Sequence, residues 1–190
     1  MKRIVIFASG SGSNAENIIL FFNRTKTAKV TQVFCNNKHA KIIEKCKKLN
    51  INCLLFGRKD FFSSDIILNV LKKKADYIVL AGFLWKIPIK IIEAFPNKII
   101  NIHPSLLPKY GGKGMYGNHV HKAVKADNET ESGITIHFVN EKYDDGAIIF
   151  QKKTVISSKD SVEIIAKKVL KLEHLYFPSI IERIILQEND

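Results

Sequence analysis

The sequence has few cysteines and no long apolar segment. Cys35, Cys46 and Cys53 form no Cys-x-x-Cys pair and lie in apolar or helical contexts, so we expect reduced structural thiols rather than a disulfide framework or a metal site. No apolar run approaches the roughly 20 residues that cross a bilayer, and residues 1–3 lead into a β-like run rather than a signal-peptide core. These absences predict a cytoplasmic protein with no metal ion and no membrane partner.

Arginine is also scarce, although the chain is strongly basic. Of the 30 basic residues in this chain of net charge +12, four are arginines and 26 are lysines, and they are spread over the whole length. A nucleic-acid-binding surface would need basic residues clustered on one face. We therefore expect no nucleic-acid partner, but a positive field that attracts small anions such as phosphates.

The remaining pattern is a globular composition in which strands and helices alternate. The 190 residues, 46% hydrophobic and 25% charged, suffice for a single domain spanning 1–190. Apolar runs predict strands at 3–8, 30–35, 52–56, 77–81 and 98–103, and helices near 14–22, 40–49, 64–74 and 88–94. This alternation predicts a three-layer α/β fold with a doubly wound, mostly parallel sheet, and ligands beyond the carboxyl ends of its strands.

The second half of the chain departs from that alternation. After the loop 104–118 and a short helix, two strands near 133–139 and 147–155 follow each other closely, which predicts a C-terminal antiparallel addition to the sheet. From 161 to about 186 apolar residues recur at helical spacing. The pattern predicts a long closing helix, bent near Pro178.

A glycine-serine turn with the sequence Ser-Gly-Ser-Gly-Ser-Asn, residues 9–14, separates the first strand from the first helix. Free backbone N–H groups and the helix dipole bind phosphate at such a place, and Ser13 and Asn14 could add donors or cap the helix. The turn lacks the Gly-Lys-Ser/Thr of a Walker sequence and the third glycine of the dinucleotide fingerprint. A flexible turn with a good N-cap is the alternative.

The chemistry of the chain is most evident at Asn101 and His103. These residues lie two apart on a predicted strand that Pro104 ends, so their side chains point to the same side at the strand's carboxyl end. An amide that donates to an oxyanion, beside an imidazole that transfers a proton near neutral pH, suits acyl transfer. A purely structural histidine is the alternative.

A third cluster comprises 137–139 (His-Phe-Val) and the turn 143–146 (Tyr-Asp-Asp-Gly), which could bring Asp144 to His103. A carboxylate there would stabilise the imidazolium and raise its pKa. Asp-Asp-Gly is equally a good turn sequence between two strands, so both interpretations stay open. Apart from the i, i+2 pair His119 and His121, the other histidines have no metal-ligand spacing, and we expect no metal site.

From end to end the chain resembles the folate-dependent formyltransferase family. The segment Asn-x-His-Pro-Ser-Leu-Leu-Pro at 101–108 is characteristic of the whole family, and the turn at 9–14 narrows the match to the branch that acts on glycinamide ribonucleotide. Further similarity covers 80–83, 133–139 and 173–174. The resemblance implies an enzyme of purine biosynthesis that transfers the formyl group of 10-formyltetrahydrofolate to the amine of glycinamide ribonucleotide. We expect it to act as a monomer or homodimer.

The resemblance also implies roles for the residues at matching positions. The catalytic group would be Asn101, His103 and Asp144. Gly12, Ser13 and Asn14 would bind the substrate phosphate, and Glu173 the ribose or glycinamide portion. The folate would contact Arg58, Leu84, Trp85, Lys86, Ile87, Asn101, Asn140 and Asp144, although a one-residue alignment shift substitutes Lys59 for Arg58. Residues 1–100 would form the phosphate-binding half, and 101–190 the catalytic and folate-binding half.

The chain departs from the common family pattern at 110–118, where a longer glycine-rich connection alters the substrate entrance. Two other enzymes share the central motif. Methionyl-tRNA formyltransferase carries an additional C-terminal domain that 190 residues cannot hold, and formyltetrahydrofolate deformylase usually has an extra N-terminal domain; both lack the opening turn. From a different class, a catalytically silent nucleotide- or folate-binding module is the alternative.

Overall fold

A seven-stranded sheet forms the centre of the molecule, as seen in a computed structural model that describes residues 1–187. The strands are β1 (Lys2–Ala8), β2 (Ala28–Cys35), β3 (Cys53–Leu55), β4 (Tyr77–Leu80), β5 (Ile99–His103), β6 (Glu131–Phe138) and β7 (Ile148–Val155). Their order across the sheet is β3-β2-β1-β4-β5-β6-β7. The first five strands run parallel, and β6 and β7 are added antiparallel at one edge.

Helices cover both faces of this sheet. They are α1 (Ser13–Thr25), α2 (Ile42–Lys48), α3 (Ile66–Lys74), α4 (Ile89–Ala94), α5 (Asn118–Ala126) and α6 (Val162–Gln187), with a short π-helical turn at Lys59–Ser63. The buried side chains of α1, α2, α5 and α6 share one apolar core, and those of α3, α4 and the π-helical turn share the other. The fold therefore has three layers.

The central strands alternate between these two cores. In β1, Ile4 and Ile6 belong to the core under α1 and α6, whereas Val5 and Phe7 belong to the core under α3 and α4. All four side chains are fully buried. A strand covered on both faces needs apolar residues at every position, which is why its sequence reads as a continuous hydrophobic run.

The order in which successive strands are added to the sheet reverses between β1 and β4. The chain adds β2 and β3 on one side of β1, then returns to place β4 and β5 on the other. The connections leaving β1 and β4 therefore diverge to opposite sides and open a crevice at the carboxyl ends of these strands. Such a switch point is where open α/β sheets bind their ligands.

The long helix α6 continues through Pro178. Proline has no N–H, so the carbonyl four residues earlier, that of His174, lacks its helical donor. Asn17 of α1 fills this gap, because its Nδ2 donates to the His174 carbonyl at 2.7 Å. The first and last helices are thus joined at the point where α6 would otherwise be weakest.

The predicted α/β fold, its mostly parallel sheet, the antiparallel addition and the closing helix are confirmed. The π-helical turn at Lys59–Ser63 is an element that the sequence patterns did not indicate. Within residues 1–187, none of the helices combines the length and the apolar character needed to cross a membrane.

Candidate active site

A cavity of about 770 Å³ opens at the carboxyl ends of β1, β4 and β5. Its volume is in the range of small-molecule sites. Most of its wall comes from the segments 9–14, 80–87, 101–104, 112–118, 139–140 and 142–144, joined by His121, His137, Ala166, Leu170 and Glu173. The crevice expected at the switch point of the sheet is therefore a single continuous site.

The opening turn forms one end of the cavity. Gly12 has a positive φ of 68°, and a Cβ atom there would lie 2.5 Å from Ile42 Cδ1, so glycine is required on both counts. No side chain caps the helix α1 that follows. The free N–H groups of its first turn, with the positive end of the helix dipole, make this end of the cavity suited to an anion.

A buried polar pair lies beside that turn. Asn14 Nδ2 donates to Glu173 Oε2 at 2.6 Å, which links α1 to α6. Glu173 is 9% exposed, and burial raises the pKa of its carboxyl above the ordinary value. Asn14 Oδ1 is buried with no partner of its own, so an acceptor is available to a ligand that carries hydroxyl or amine donors.

Asn101 and His103 project from the end of β5 into the cavity, as the two-residue spacing predicted. His103 is 4% exposed. Its Nε2 donates to the Tyr110 carbonyl at 2.7 Å, and its Nδ1 lies 3.5 Å from Asp144 Oδ2. Both ring nitrogens therefore have a defined partner.

Asp144 reaches this group from the segment between β6 and β7. Its Oδ2 accepts the Gly112 N–H at 2.9 Å, and its Oδ1 lies 3.5 Å from Asn101 Nδ2. The structure thus brings Asp144 to Asn101 and His103, although 43 positions separate Asp144 from Asn101 in the chain. An amide donor, an imidazole and a carboxylate that meet at one point can stabilise a developing oxyanion and move a proton.

The protonation of His103 differs from the sequence-based expectation. Burial lowers the pKa of His103, and although Asp144 and the hydrogen bond to Tyr110 act in the opposite direction, the pKa lies below the ordinary histidine value. The expected effect of Asp144, which favours the imidazolium, is therefore present, but burial outweighs it in the ligand-free site. Burial would raise the pKa of Asp144, but contacts with His137, His103 and the Gly112 N–H outweigh it and lower that pKa.

His137 is a member of this group that sequence reasoning quoted only as part of a motif. The register of β5 and β6 places it directly opposite Asn101. Its Nδ1 donates to the Phe138 carbonyl at 2.8 Å, so its Nε2 is free to accept from Asn101 Nδ2 at 3.1 Å. The imidazole therefore helps to orient the amide.

His121 was also not assigned to the site. It lies on α5 and lines the cavity, 5% exposed, with a buried Nδ1 that has no partner. Burial lowers the pKa of this imidazole. The helical spacing of α5 could have indicated a buried face, but not that this face would adjoin the cavity.

The residues expected to bind folate fall into two groups. Leu84 to Ile87 and Asn140 line the cavity. Arg58 and Lys59 are not part of its wall. The Arg58 guanidinium instead lies over the Trp85 ring, 5.0 Å from its centroid, where a cation–π contact holds it. The structure therefore places Arg58 against a cavity residue but not in the cavity wall.

Over the part of the chain that the structure describes, no three histidine, cysteine, aspartate or glutamate side chains come together in a group that could hold a metal ion.

Comparison with known proteins gives consistent matches. A phosphoribosylglycinamide formyltransferase of Bacillus subtilis is 35% identical over 195 residues, with 100% of this chain and 97% of that protein covered. A chloroplastic phosphoribosylglycinamide formyltransferase of Arabidopsis thaliana is 38% identical over 187 residues. The match covers 95% of this chain, which spans only 64% of that plant protein.

Solved structures and a family comparison point the same way. The crystal structure of glycinamide ribonucleotide transformylase 1 from Symbiobacterium toebii superposes with a TM-score of 0.90 at 27% identity, covering 98% of this chain and 89% of that one. The family described as Formyl transferase matches residues 2–181. The chain therefore belongs to the formyl transferase family.

Proposed function

We propose that the chain transfers the formyl group of 10-formyltetrahydrofolate to the amine of N1-(5-phospho-D-ribosyl)glycinamide, a step of purine biosynthesis. The observation that carries this proposal is the meeting of Asn101, His103 and Asp144 in the cavity that also contains the uncapped start of α1. Relatives that share the whole length of the chain bear the name of this activity.

The phosphoribosyl end of the substrate fits the opening turn. Gly12, Ser13 and Asn14 would bind the phosphate through free N–H groups at the positive end of α1. Glu173 would accept hydrogen bonds from the ribose hydroxyls, beside the unpartnered Asn14 Oδ1. The amine at the other end of the substrate would then lie toward His103.

The folate would occupy another part of the cavity wall. Leu84, Trp85, Lys86 and Ile87 offer a strip of backbone and apolar surface, and Asn140 and Asp144 face the same space. This strip, together with Asn140 and Asp144, suits a flat heteroaromatic ring with polar edges. Arg58, which contacts Trp85 from outside the cavity wall, would meet the folate's anionic tail.

In the reaction, the neutral amine attacks the formyl carbon, a C–N bond forms, the bond from that carbon to folate N10 breaks, and one proton passes from the amine to N10. Asn101 would donate to the formyl oxygen as negative charge develops there. His103, neutral at rest, would accept the proton on Nδ1, and Asp144 would stabilise the imidazolium until the proton reaches N10. The cavity supplies the alignment of the two substrates.

The test is an absorbance assay for tetrahydrofolate formation from a 10-formyl folate, run with and without glycinamide ribonucleotide. Product that forms only when the amine is present supports transfer. Product in the absence of the amine indicates hydrolysis of the formyl folate instead, and no product in either reaction refutes the proposal.

The organisation of the protein is part of the same proposal. Residues 1–190 would act as one domain, with the anion-binding turn in 1–100 and the catalytic and folate-binding segments mainly in 101–190. A continuous sheet through all seven strands supports this. We infer a cytoplasmic enzyme that acts on small molecules as a monomer or homodimer, with neither nucleic acid nor membrane as partner.

A further inference from the structure

A short backbone segment, 110–112, contacts both His103 and Asp144. The Tyr110 carbonyl accepts from His103 Nε2 at 2.7 Å, and the Gly112 N–H donates to Asp144 Oδ2 at 2.9 Å. That same carboxylate oxygen lies 3.5 Å from His103 Nδ1. Any displacement of the segment would therefore disturb the imidazole and the carboxylate together.

The backbone of Tyr110 has an uncommon conformation. Its φ is 57°, in the left-handed region that side-chain-bearing residues rarely adopt. In this conformation its carbonyl faces the His103 ring. A conformation of this kind persists only where the surroundings hold it in place.

The phenol of Tyr110 provides that hold. Its Oη lies 2.7 Å from Asp127 Oδ2 and 3.0 Å from Glu129 Oε1, and Lys109 Nζ donates to the same Glu129 oxygen at 2.8 Å. The phenol has a single proton to donate to the two carboxylates, and Lys109 offsets the charge of one of them. None of these four residues lines the cavity.

We propose that Tyr110 is a positioning residue: its phenol, anchored on Asp127 and Glu129 outside the cavity, fixes the carbonyl that orients the His103 ring. A carbonyl can only accept, so this bond keeps a proton on Nε2 and leaves Nδ1, which faces Asp144, as the nitrogen that gains and loses a proton. The effect of Tyr110 on turnover rests on the proposed function, whereas its effect on which nitrogen of His103 carries a proton does not.

The first test is Tyr110→Phe, which removes the phenol oxygen and keeps the ring. The bond to the Tyr110 carbonyl raises the pKa of His103, so loosening it should lower that pKa, measured by NMR titration of the imidazole in the substrate-free protein. We expect kcat to fall about tenfold while both KM values change less than about twofold. Tyr176→Phe, on α6 and outside the cavity wall, is the matched control and should change neither.

A second pair of variants leaves Tyr110 intact. Asp127→Ala combined with Glu129→Ala removes both acceptors of the phenol and should act like Tyr110→Phe. Asp127→Asn combined with Glu129→Gln removes the charges but keeps an acceptor oxygen at each position, so His103 should titrate nearly as in the unmodified protein.

The results separate the two proposals. An unchanged titration of His103 in Tyr110→Phe and in the double alanine variant would overturn the positioning role, whatever the turnover. A wild-type protein without formyl transfer would refute the proposed function, but the NMR titration would still decide whether the phenol positions the ring.

Discussion

The two nitrogens of His103 face different partners, and this asymmetry determines how the residue can act. Nε2 is bound to the backbone carbonyl of Tyr110, and Nδ1 is directed at Asp144. Because the pKa of the buried ring lies below the ordinary value, the ring is neutral at physiological pH and can accept a proton. In the proposed reaction Asp144 would stabilise the imidazolium once that proton has arrived.

Replacing His103 by alanine should lower kcat by about 100-fold or more, because the proton would lose its acceptor within the cavity. The assay is tetrahydrofolate formation, and circular dichroism checks that the variant stays folded. His39→Ala, which changes an exposed histidine, is the control and should keep full turnover. Turnover near the wild-type level in His103→Ala would contradict the assignment.

Replacing Asp144 by asparagine should lower the pKa of His103 further. Asp144 favours the imidazolium, so without its charge the effect of burial is less opposed and the proton leaves at lower pH. In an NMR titration of the ligand-free protein the His103 signal should move to its neutral position at lower pH than in the wild type. Asp145→Asn, at the exposed neighbour, should leave the titration unchanged. A higher pKa in Asp144→Asn would rule out this arrangement.

The individual residues of the site were predictable to different degrees. Strand periodicity alone placed Asn101 and His103 on one side, because side chains alternate along any strand. The position of His137 depends on the register between β5 and β6, a long-range property with no local pattern. The contact made by Tyr110 uses a backbone carbonyl, a group that every residue carries, so its sequence position gives no signal. Its φ of 57° is visible only in the structure.

At the scale of elements, the contact between α1 and α6 holds the closing helix in place. Asn17 supplies the donor that Pro178 cannot give to the His174 carbonyl. The same two helices carry Asn14 and Glu173, whose hydrogen bond lies at the cavity. Packing at this helix pair therefore bears on both the stability of the fold and the shape of the cavity.

Asn17→Ala should destabilise the protein by about 0.5–1.5 kcal/mol, the usual net contribution of one hydrogen bond, because this bond is only part-buried. Urea unfolding followed by circular dichroism measures the change. Asn23→Ala, at an exposed position of the same helix, is the control, and its effect should be small because alanine favours helix. Equal stabilities for the two variants would show that the His174 carbonyl does not need this donor.

The elements themselves were largely readable from the sequence. Buried parallel strands and amphipathic helices leave strong apolar patterns, so every predicted strand and helix of the first half is present. The π-helical turn at Lys59–Ser63 was not predicted, because its conformation depends on tertiary packing. Phe61 there packs at a tilt against the neighbouring Phe56 ring and against the Phe7 ring, which comes from a distant part of the chain.

At the scale of the whole molecule, the net charge of +12 creates a field that extends beyond the cavity. Lys86, Lys113 and Lys142 lie in the cavity wall itself. An anionic substrate would therefore approach a surface of opposite charge. Such steering raises the rate of encounter and is weakened by salt.

We expect kcat/KM for the phosphorylated substrate to fall as ionic strength rises from about 0.01 M to about 0.15 M, over which the Debye length shrinks from about 30 Å to about 8 Å. Steady-state kinetics at several salt concentrations measures the slope. The same substrate without its phosphate should show a shallower dependence. Parallel slopes for the two would mean that the positive field does not assist binding.

The hydrogen bond between Asn14 and Glu173 connects positions 159 residues apart. During synthesis the amino-terminal turn leaves the ribosome early, whereas Glu173 emerges only after all seven strands have been made. An arrested nascent chain could complete most of the sheet and still lack this link. The part of the cavity wall beside the opening turn would then be among the last parts of the molecule that a newly made chain completes.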